Sequence, residues 1–321
     1  MAIVLKYEQH HLPKVAYILE FYMSLQAYED ERNKKLAFKG IVDNIFCQHS
    51  LGVTVDINNI HARSAFFIEL SYVNDLSNAI FEYMFQKETA FIALDHYTSP
   101  EGFRGILSSE ELRLHSVAKR LGQGELDEFA KFHNLNGYLS PSTNGKVYAE
   151  LADDLFYTSF TTSLNKSKPD LWGCFAKQGT GVRLTFEVKG GRADLRHINY
   201  NNKNITILKE INSSLTSAGL PPFTPWGISR LGAFYLPSTL QNEEEVRLLL
   251  KRWDASAPSG VVGSSPNSYW PIPIDVSNNC ADIKLVAITF GPKADVADFT
   301  SLVSNSKFAS VPCTTAKSDS D

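Results

Sequence analysis

Near residue 90 the hydrophobic period of this chain changes, and a fold with one kind of element cannot hold both parts. In "KVAYILEFYMSLQAYEDERNKKLAFKGIVDNIF" apolar residues fall three and four apart (Val15, Ile18, Leu19, Tyr22, Leu25), then a charged break, then a second run. "SAFFIELSYVNDLSNAIFEYMF" repeats the spacing through Phe67, Leu70, Val73, Leu76, Ile80 and Met84, with "LGVTVDIN" between them as a short strand. From "TAFIALDHYTS" onward strands dominate. "GVRLTFEV" alternates, with Val182, Leu184 and Phe186 on one face, "LFYTSFTTS" mixes aromatics with hydroxyls, and "DIKLVAITFGP" reads as a buried strand closed by Gly-Pro. The expected organisation is a helical region over 1–88, a strand-rich α+β domain over 89–306 and a tail over 307–321, of which "TTAKSDSD" reads as disordered.

Between those strands the punctuation is specific. Ser99-Pro100 reads as an N-cap followed by Pro in the first helical turn. "ELRLHS" is β-like, residues 119–150 are polar and glycine-bearing, and "KPDLWGCFAKQG" is a short helix stopped by Gly179. "NITILKEI" is a strand or a helix start, and "GVVGSSPNSYWPIPIDV" reads as loop. "QNEEEVRLLLKRW" stays open. As a strand it puts Glu243, Glu245 and Arg247 on one face; as a helix it puts Asn242 at the N-cap with Glu245 three residues on.

Composition narrows the classes. The chain has 321 residues, a net charge of −4 and no overall basic footprint for nucleic acid. No apolar run spans a bilayer, and the start is not a secretory signal. Four scattered cysteines (Cys47, Cys174, Cys280, Cys313) form no CxxC, and the histidines show no metal spacing, so no metal site is expected. Cys174, beside Trp172 and Phe175, is expected to be a buried structural thiol. These features read as a reduced, cytoplasmic protein without membrane attachment.

Three segments carry candidate chemistry. His96 and Thr98 share a strand face, where an imidazole and a hydroxyl together suit a diol or an amide, or where they simply finish a strand. Tyr157, Ser159 and Thr161 make a polar strand face. Glu243 and Glu245 are close carboxylates for which Arg247 could compensate.

The series H-Y-T-S before a helix, F-x-x-S-F-T, L-W-x-x-F-A-x-x-G-x-G-V-x-L-x-F, E-x-E-x-R and a late strand ending in G-P-K resembles a bacterial family of uncharacterised function. That family looks like a divergent branch of the ADP-ribosyltransferase superfamily, which includes the poly(ADP-ribose) polymerases and many toxins. The resemblance covers roughly residues 90–305. It implies an ADP-ribosyltransferase-like domain that uses NAD as substrate, as a transferase or an NAD glycohydrolase, in a bacterial defence or toxin setting. His96, Tyr97 and Thr98 would hold the ribose and the nicotinamide amide, and Tyr157 and Ser159 would pack on or support that site. Glu245 would be the catalytic carboxylate, with Glu243 upstream of it. Two departures stand out: Tyr97 replaces the usual glycine of H-G-T, and the Glu lies in a triple-Glu run. The acceptor is a macromolecule the sequence does not name, and residues 1–88 are expected to engage a protein partner. The other reading is a non-enzymatic interaction protein that retains the fold.

Overall fold

The computed structural model describes residues 12–70, 73–120, 126, 129, 132–133, 154–162, 168–200, 206–252 and 260–317. The protein is mixed α and β, with a helical N-terminal region and strand-rich sheets. It forms two compact units. The first lies within residues 1–80 and 205–226, and the second within 81–204 and 227–321. The return of 205–226 to the first unit is not visible in any local pattern.

In the first unit, helix α1 (Leu12–Gln48) runs unbroken through the charged stretch where a break was expected. Its buried Phe38, Val42 and Phe46 are joined by Ile60 of β1 (Ile60–Ala62) and Phe67 of β2 (Phe67–Glu69). Phe67 was expected in a helix. It lies instead on an antiparallel hairpin, where its ring sits 4.6 Å from that of Phe38. "LGVTVDIN" forms no strand; its end is a 3₁₀ turn, Ile57–Asn59, capped by Asp56. Glu69 is buried, and its carboxylate accepts the backbone N–H groups of Leu76 and Ser77, both at 2.7 Å, at the start of α2 (Asp75–Met84). The open reading of "NITILKEI" resolves as a helix that begins at Ile207, with Thr206 as N-cap.

The second unit is built on a sheet with nine strands among the described residues. The strands are β3 (Ile92–Thr98), β4 (Glu111–Ser116), β5 (Leu155–Thr162), β6 (Val182–Gly190), β7 (Asp194–His197), β10 (Glu245–Lys251), β11 (Tyr269–Pro273), β12 (Ala281–Phe290) and β13 (Cys313–Thr315). The order is β11-β4-β5-β3-β6-β12-β13, with β10 also on β5 and β7 on β10. All pairs are antiparallel except β12 with β13. A separate two-stranded parallel sheet pairs β8 (Asn199–Tyr200) with β9 (Tyr235–Leu236). Helix α3 (Pro100–Ser109) opens as expected, with the Ser99 hydroxyl accepting from Gly102 N. The remaining helices are α4 (Lys168–Cys174), α5 (Ile207–Ser217), α6 (Ile228–Gly232) and α7 (Val296–Ser304). Of these, α5 belongs to the first unit, where Ile211 and Leu215 are fully buried and Glu210 meets His49 at 2.8 Å.

Val182, Leu184 and Phe186 are buried on one face, as their alternation predicts, with Leu94, Phe160, Val246 and Leu248 in the same core. Phe103 of α3 and Phe299 of α7 join that core with rings 5.2 Å apart. Ile288 and Phe290 lie in β12, which is paired on both edges.

Three further expectations are corrected. Tyr269–Pro273, read as loop, is an edge strand, where Pro271 and Pro273 are tolerated because one edge needs no ladder. Cys313–Thr315, in the expected tail and with Thr314 and Thr315 in the stretch read as disordered, pairs in parallel with Ile288–Phe290. Cys174 is exposed at the end of α4 rather than buried. The expected loop over 119–150 lies almost wholly outside the described residues.

Candidate functional site

A gap in one sheet edge makes the cleft. On one side β5 pairs with β10 continuously from Leu155 to Thr161. Its other edge is shared by two strands. β4 pairs with Phe156 and Tyr157, and β3 pairs with Thr161 and Thr162. Among the described residues, 158–160 therefore have no strand partner on that edge. The His96 imidazole fills part of the break, with Nδ1 2.9 Å from the Ser159 carbonyl oxygen. A carbonyl only accepts, so Nδ1 carries the proton and Nε2 keeps its lone pair. Burial pushes the His96 pKa below its usual value, which keeps this neutral tautomer at physiological pH, although the Ser159 carbonyl pulls the other way.

A cavity of about 530 Å³ opens at this gap. It brings together all seven residues singled out from the sequence: His96, Tyr97, Thr98, Tyr157, Ser159, Glu243 and Glu245.

β10 resolves the strand-or-helix alternative. Glu245 is its first residue, and pairing with β5 on one edge and β7 on the other leaves no room for a helix cap. Glu244 adopts a left-handed φ of 43° and turns the chain into the strand. The three glutamates then separate. Glu243 lines the cleft and its carbonyl accepts from the Thr161 hydroxyl at 2.7 Å. Glu244 is exposed beside Thr162. Glu245 points inward and is 5% exposed.

The Glu245 carboxylate is held from two directions. The Ser159 hydroxyl donates to Oε1. Arg247, 2% exposed, donates Nε to Oε1 at 2.6 Å and Nη2 to Oε2 at 3.2 Å. The guanidinium lies 4.3 Å over the Tyr157 ring and donates Nη1 to the Ala233 carbonyl at 2.5 Å. The Glu245 backbone N–H reaches the Tyr200 hydroxyl at 2.9 Å, and burial raises the pKa of that phenol. Backbone, neighbour and cation thus fix one carboxylate at the cleft wall, and Oε2, with a single donor in contact, is its less crowded oxygen.

Tyr97 turns to the opposite side of β3 from His96, as strand alternation requires, and its ring packs edge-on against Trp172 of α4 at 5.0 Å. The bulky Tyr97 between them therefore leaves the His96–Thr98 side of the strand clear. Thr98 sits where the sequence spacing put it, and two glycines accommodate it. A Cβ on Gly102 would run into the Thr98 hydroxyl, and one on Gly181 into the Thr98 carbonyl.

Sequence reasoning left Asp95, His115, Lys119, Leu171, Phe175, Leu236 and Leu240 out of the site, although all line the cavity. Arg247 had a signal: its i+2 spacing from Glu245 puts both on one strand face. Lys119 had none, since it follows β4 in a featureless polar stretch. Among the described residues no cluster of three or more metal-binding side chains occurs, and no helix is long and apolar enough to cross a membrane. No family model, curated protein or solved structure matches this chain, so the site is read from its own geometry.

Proposed function

We propose that the cleft binds NAD and breaks its nicotinamide–ribose bond, as an ADP-ribosyltransferase or an NAD glycohydrolase. The observation that carries the reading is the Ser159–Glu245 hydrogen bond at the wall of a cleft that also presents His96. When the C1′–N bond breaks, its electron pair leaves with neutral nicotinamide and C1′ becomes cationic. Glu245, paired with Arg247, stabilises that cation most when the charge is greatest, so its effect falls on the rate more than on binding. Ser159 holds the carboxylate in place. His96 offers a lone pair at Nε2 to a ribose hydroxyl, and Thr98 adds a hydroxyl on the same side of the strand. Glu243 stands at the cleft to orient the acceptor and take its proton. The acceptor's oxygen or nitrogen then bonds to C1′; water in that role gives hydrolysis.

One observation favours a second reading. Arg247 contacts both oxygens of Glu245, which suits a retired site in a non-enzymatic interaction protein. Incubation with labelled NAD and lysate separates the two. The enzyme releases nicotinamide, with label on a macromolecule or in free ADP-ribose; absence of NAD binding at millimolar concentration overturns the proposal. A defence or toxin role in bacteria follows from the sequence resemblance, and no structural feature carries it.

A further inference from the structure

The β1–β2 hairpin of the first unit has two unlike faces. Leu70 N donates to the Asn59 carbonyl at 2.8 Å and Arg63 N to the Phe66 carbonyl at 2.9 Å, with His61 opposite Ile68 between them. Alternation puts Ile60, Phe67 and Glu69 on one face, and all three are buried. The other face carries His61, Arg63, Phe66, Ile68 and Leu70. It walls a cavity of about 460 Å³ that Trp226 completes. Phe66, Ile68 and Leu70 are only half-buried there, and His61 and Arg63 are exposed. Trp226 is 39% exposed, yet it is held at two points. Its backbone N–H donates to the Ser77 hydroxyl at 2.9 Å, and its indole N–H to the Glu69 carbonyl at 2.5 Å. Ser77 in turn donates to the Glu69 carboxylate. A large ring fixed at a cavity rim loses little further freedom when something packs on it.

The two edges of the hairpin differ as well. On β2 the outer edge is taken: Phe67 N donates to the Pro222 carbonyl and Thr224 N to the Phe67 carbonyl, both at 2.8 Å. On β1 the bonds to β2 are made by Asn59, His61 and Arg63, so Ala62 aims its N–H and C=O away from β2. Among the described residues no further strand pairs with β1. The charge beside this edge is positive. The Glu69 carboxylate is spent on the Leu76 and Ser77 amides. Glu31, whose charge His61 feels, pairs with Lys35 at 2.8 Å. Arg63 makes no ion pair among the described residues and is the uncommitted charge of the cavity wall.

We infer that this face docks an extended, acidic segment of a partner protein, which adds to β1 as a further strand. Its backbone pairs with the N–H and C=O of Ala62. On the face it shares with His61 and Ile68, one large apolar side chain enters the cavity against Trp226, and a carboxylate two residues away meets Arg63. A helical partner would leave the Ala62 groups unpaired, and a basic one would set like charge against Arg63. The inference uses no residue of the cleft and stands or falls apart from the NAD reading.

Fluorescence anisotropy on the full chain tests this, with a labelled peptide repeating Phe-Ser-Asp-Ser, so that Phe and Asp share a strand face, and a Lys-for-Asp version as the charge control. The wild type is expected to bind the Asp peptide and to bind the Lys peptide about tenfold more weakly or worse. Arg63→Glu should reverse that preference. Ala62→Pro removes only an outward-facing amide, which an edge strand tolerates, so it should weaken the Asp peptide by a similar factor while the denaturation midpoint is kept. No binding of the Asp peptide, equal binding of both peptides, or an unchanged preference in Arg63→Glu would overturn the inference. Full affinity in Ala62→Pro would overturn the strand addition. Sedimentation showing a dimer that Arg63→Glu abolishes, with no peptide bound, would overturn it in favour of a second copy of this chain.

Discussion

Two neighbouring strands of the sheet carry the same short device, a carboxylate followed two residues later by a buried arginine. On β7 it is Asp194 and Arg196; on β10 it is Glu245 and Arg247, and the two arginines are cross-strand partners. Each guanidinium covers an aromatic ring, Arg196 over Phe81 at 4.2 Å and Arg247 over Tyr157 at 4.3 Å. The difference lies beyond the pair. Asp194 is enclosed by cations: Arg196 at 2.9 Å, Arg230 in close contact and Lys87 at 3.9 Å. Arg196 is in turn occupied by Glu82 at 2.6 Å and by the Phe85 carbonyl. Glu245 has one cation, one hydroxyl and a cavity. A pair closed on all sides can only hold the fold together, and a pair with one side open can act on something that enters.

The largest effect should come from breaking the closed pair. Asp194→Ala leaves two buried or half-buried guanidinium groups without their carboxylate and should cost about 3–5 kcal/mol of stability, read as a lower denaturation midpoint. If Asp194→Ala unfolds like the wild type, the closed pair is not structural and the contrast fails. Glu245→Gln should do the reverse. Nicotinamide release should fall by about 10²–10³, with NAD affinity nearly kept and a smaller stability loss than in Asp194→Ala, because Gln still offers the buried Arg247 a hydrogen-bond acceptor. Release at the wild-type rate would move the test to Glu243. Arg247→Lys sharpens the comparison further. Charge is kept but the two-pronged grip is lost, so kcat should fall while KM for NAD holds, and Arg196→Lys should show only a stability loss.

The smallest effect concerns pH. His96 has a lowered pKa in the folded protein, so the unfolded chain binds more protons below about pH 6.5. Stability should therefore decline as pH falls from that value toward the folded pKa, by at most about 1.4 kcal/mol per pH unit for one proton, and level off below it. Chemical denaturation of His96→Gln across pH 5–8 should lack this component, whereas Asp194→Ala should retain it.

Local residues carried much of this site. The alternation of Val182, Leu184 and Phe186 and the Ser99-Pro100 start of α3 are short-range signals, and both appear as read. Of the seven candidate residues that meet in the cleft, five lie on β3 and β5, whose strand character was visible, while Glu243 and Glu245 lie at the entry to β10, whose character was not. "EEEVRLLLKRW" stayed ambiguous for a physical reason. Val246, Arg247, Leu248, Leu249 and Leu250 are all buried, so neither a period of 2 nor one of 3.6 emerges from them. The gap in the β5 edge depends on two distant strands, β3 and β4, and no window of sequence contains it. The same holds for Phe67, whose partners Phe38 and Phe223 come from far apart in the chain.

The excursion of residues 205–226 into the first unit also bears on how the protein is made. α1 is complete at Gln48, yet its packing partner α5 begins at Ile207, 159 residues later. At about 5–20 residues per second, the ribosome takes on the order of 10 s to supply that helix. Throughout that interval Phe38, Val42 and Phe46 have only part of the surface that finally covers them. The unit synthesised first is thus completed only after most of the second unit's strands have emerged, and a nascent chain halted before residue 226 would present an adhesive apolar helix to the cell's chaperones. Trimming a recombinant fragment at residue 88 has the mirror defect, because it keeps the buried face of α5, with Ile211 and Leu215, and discards the helix that packs on it.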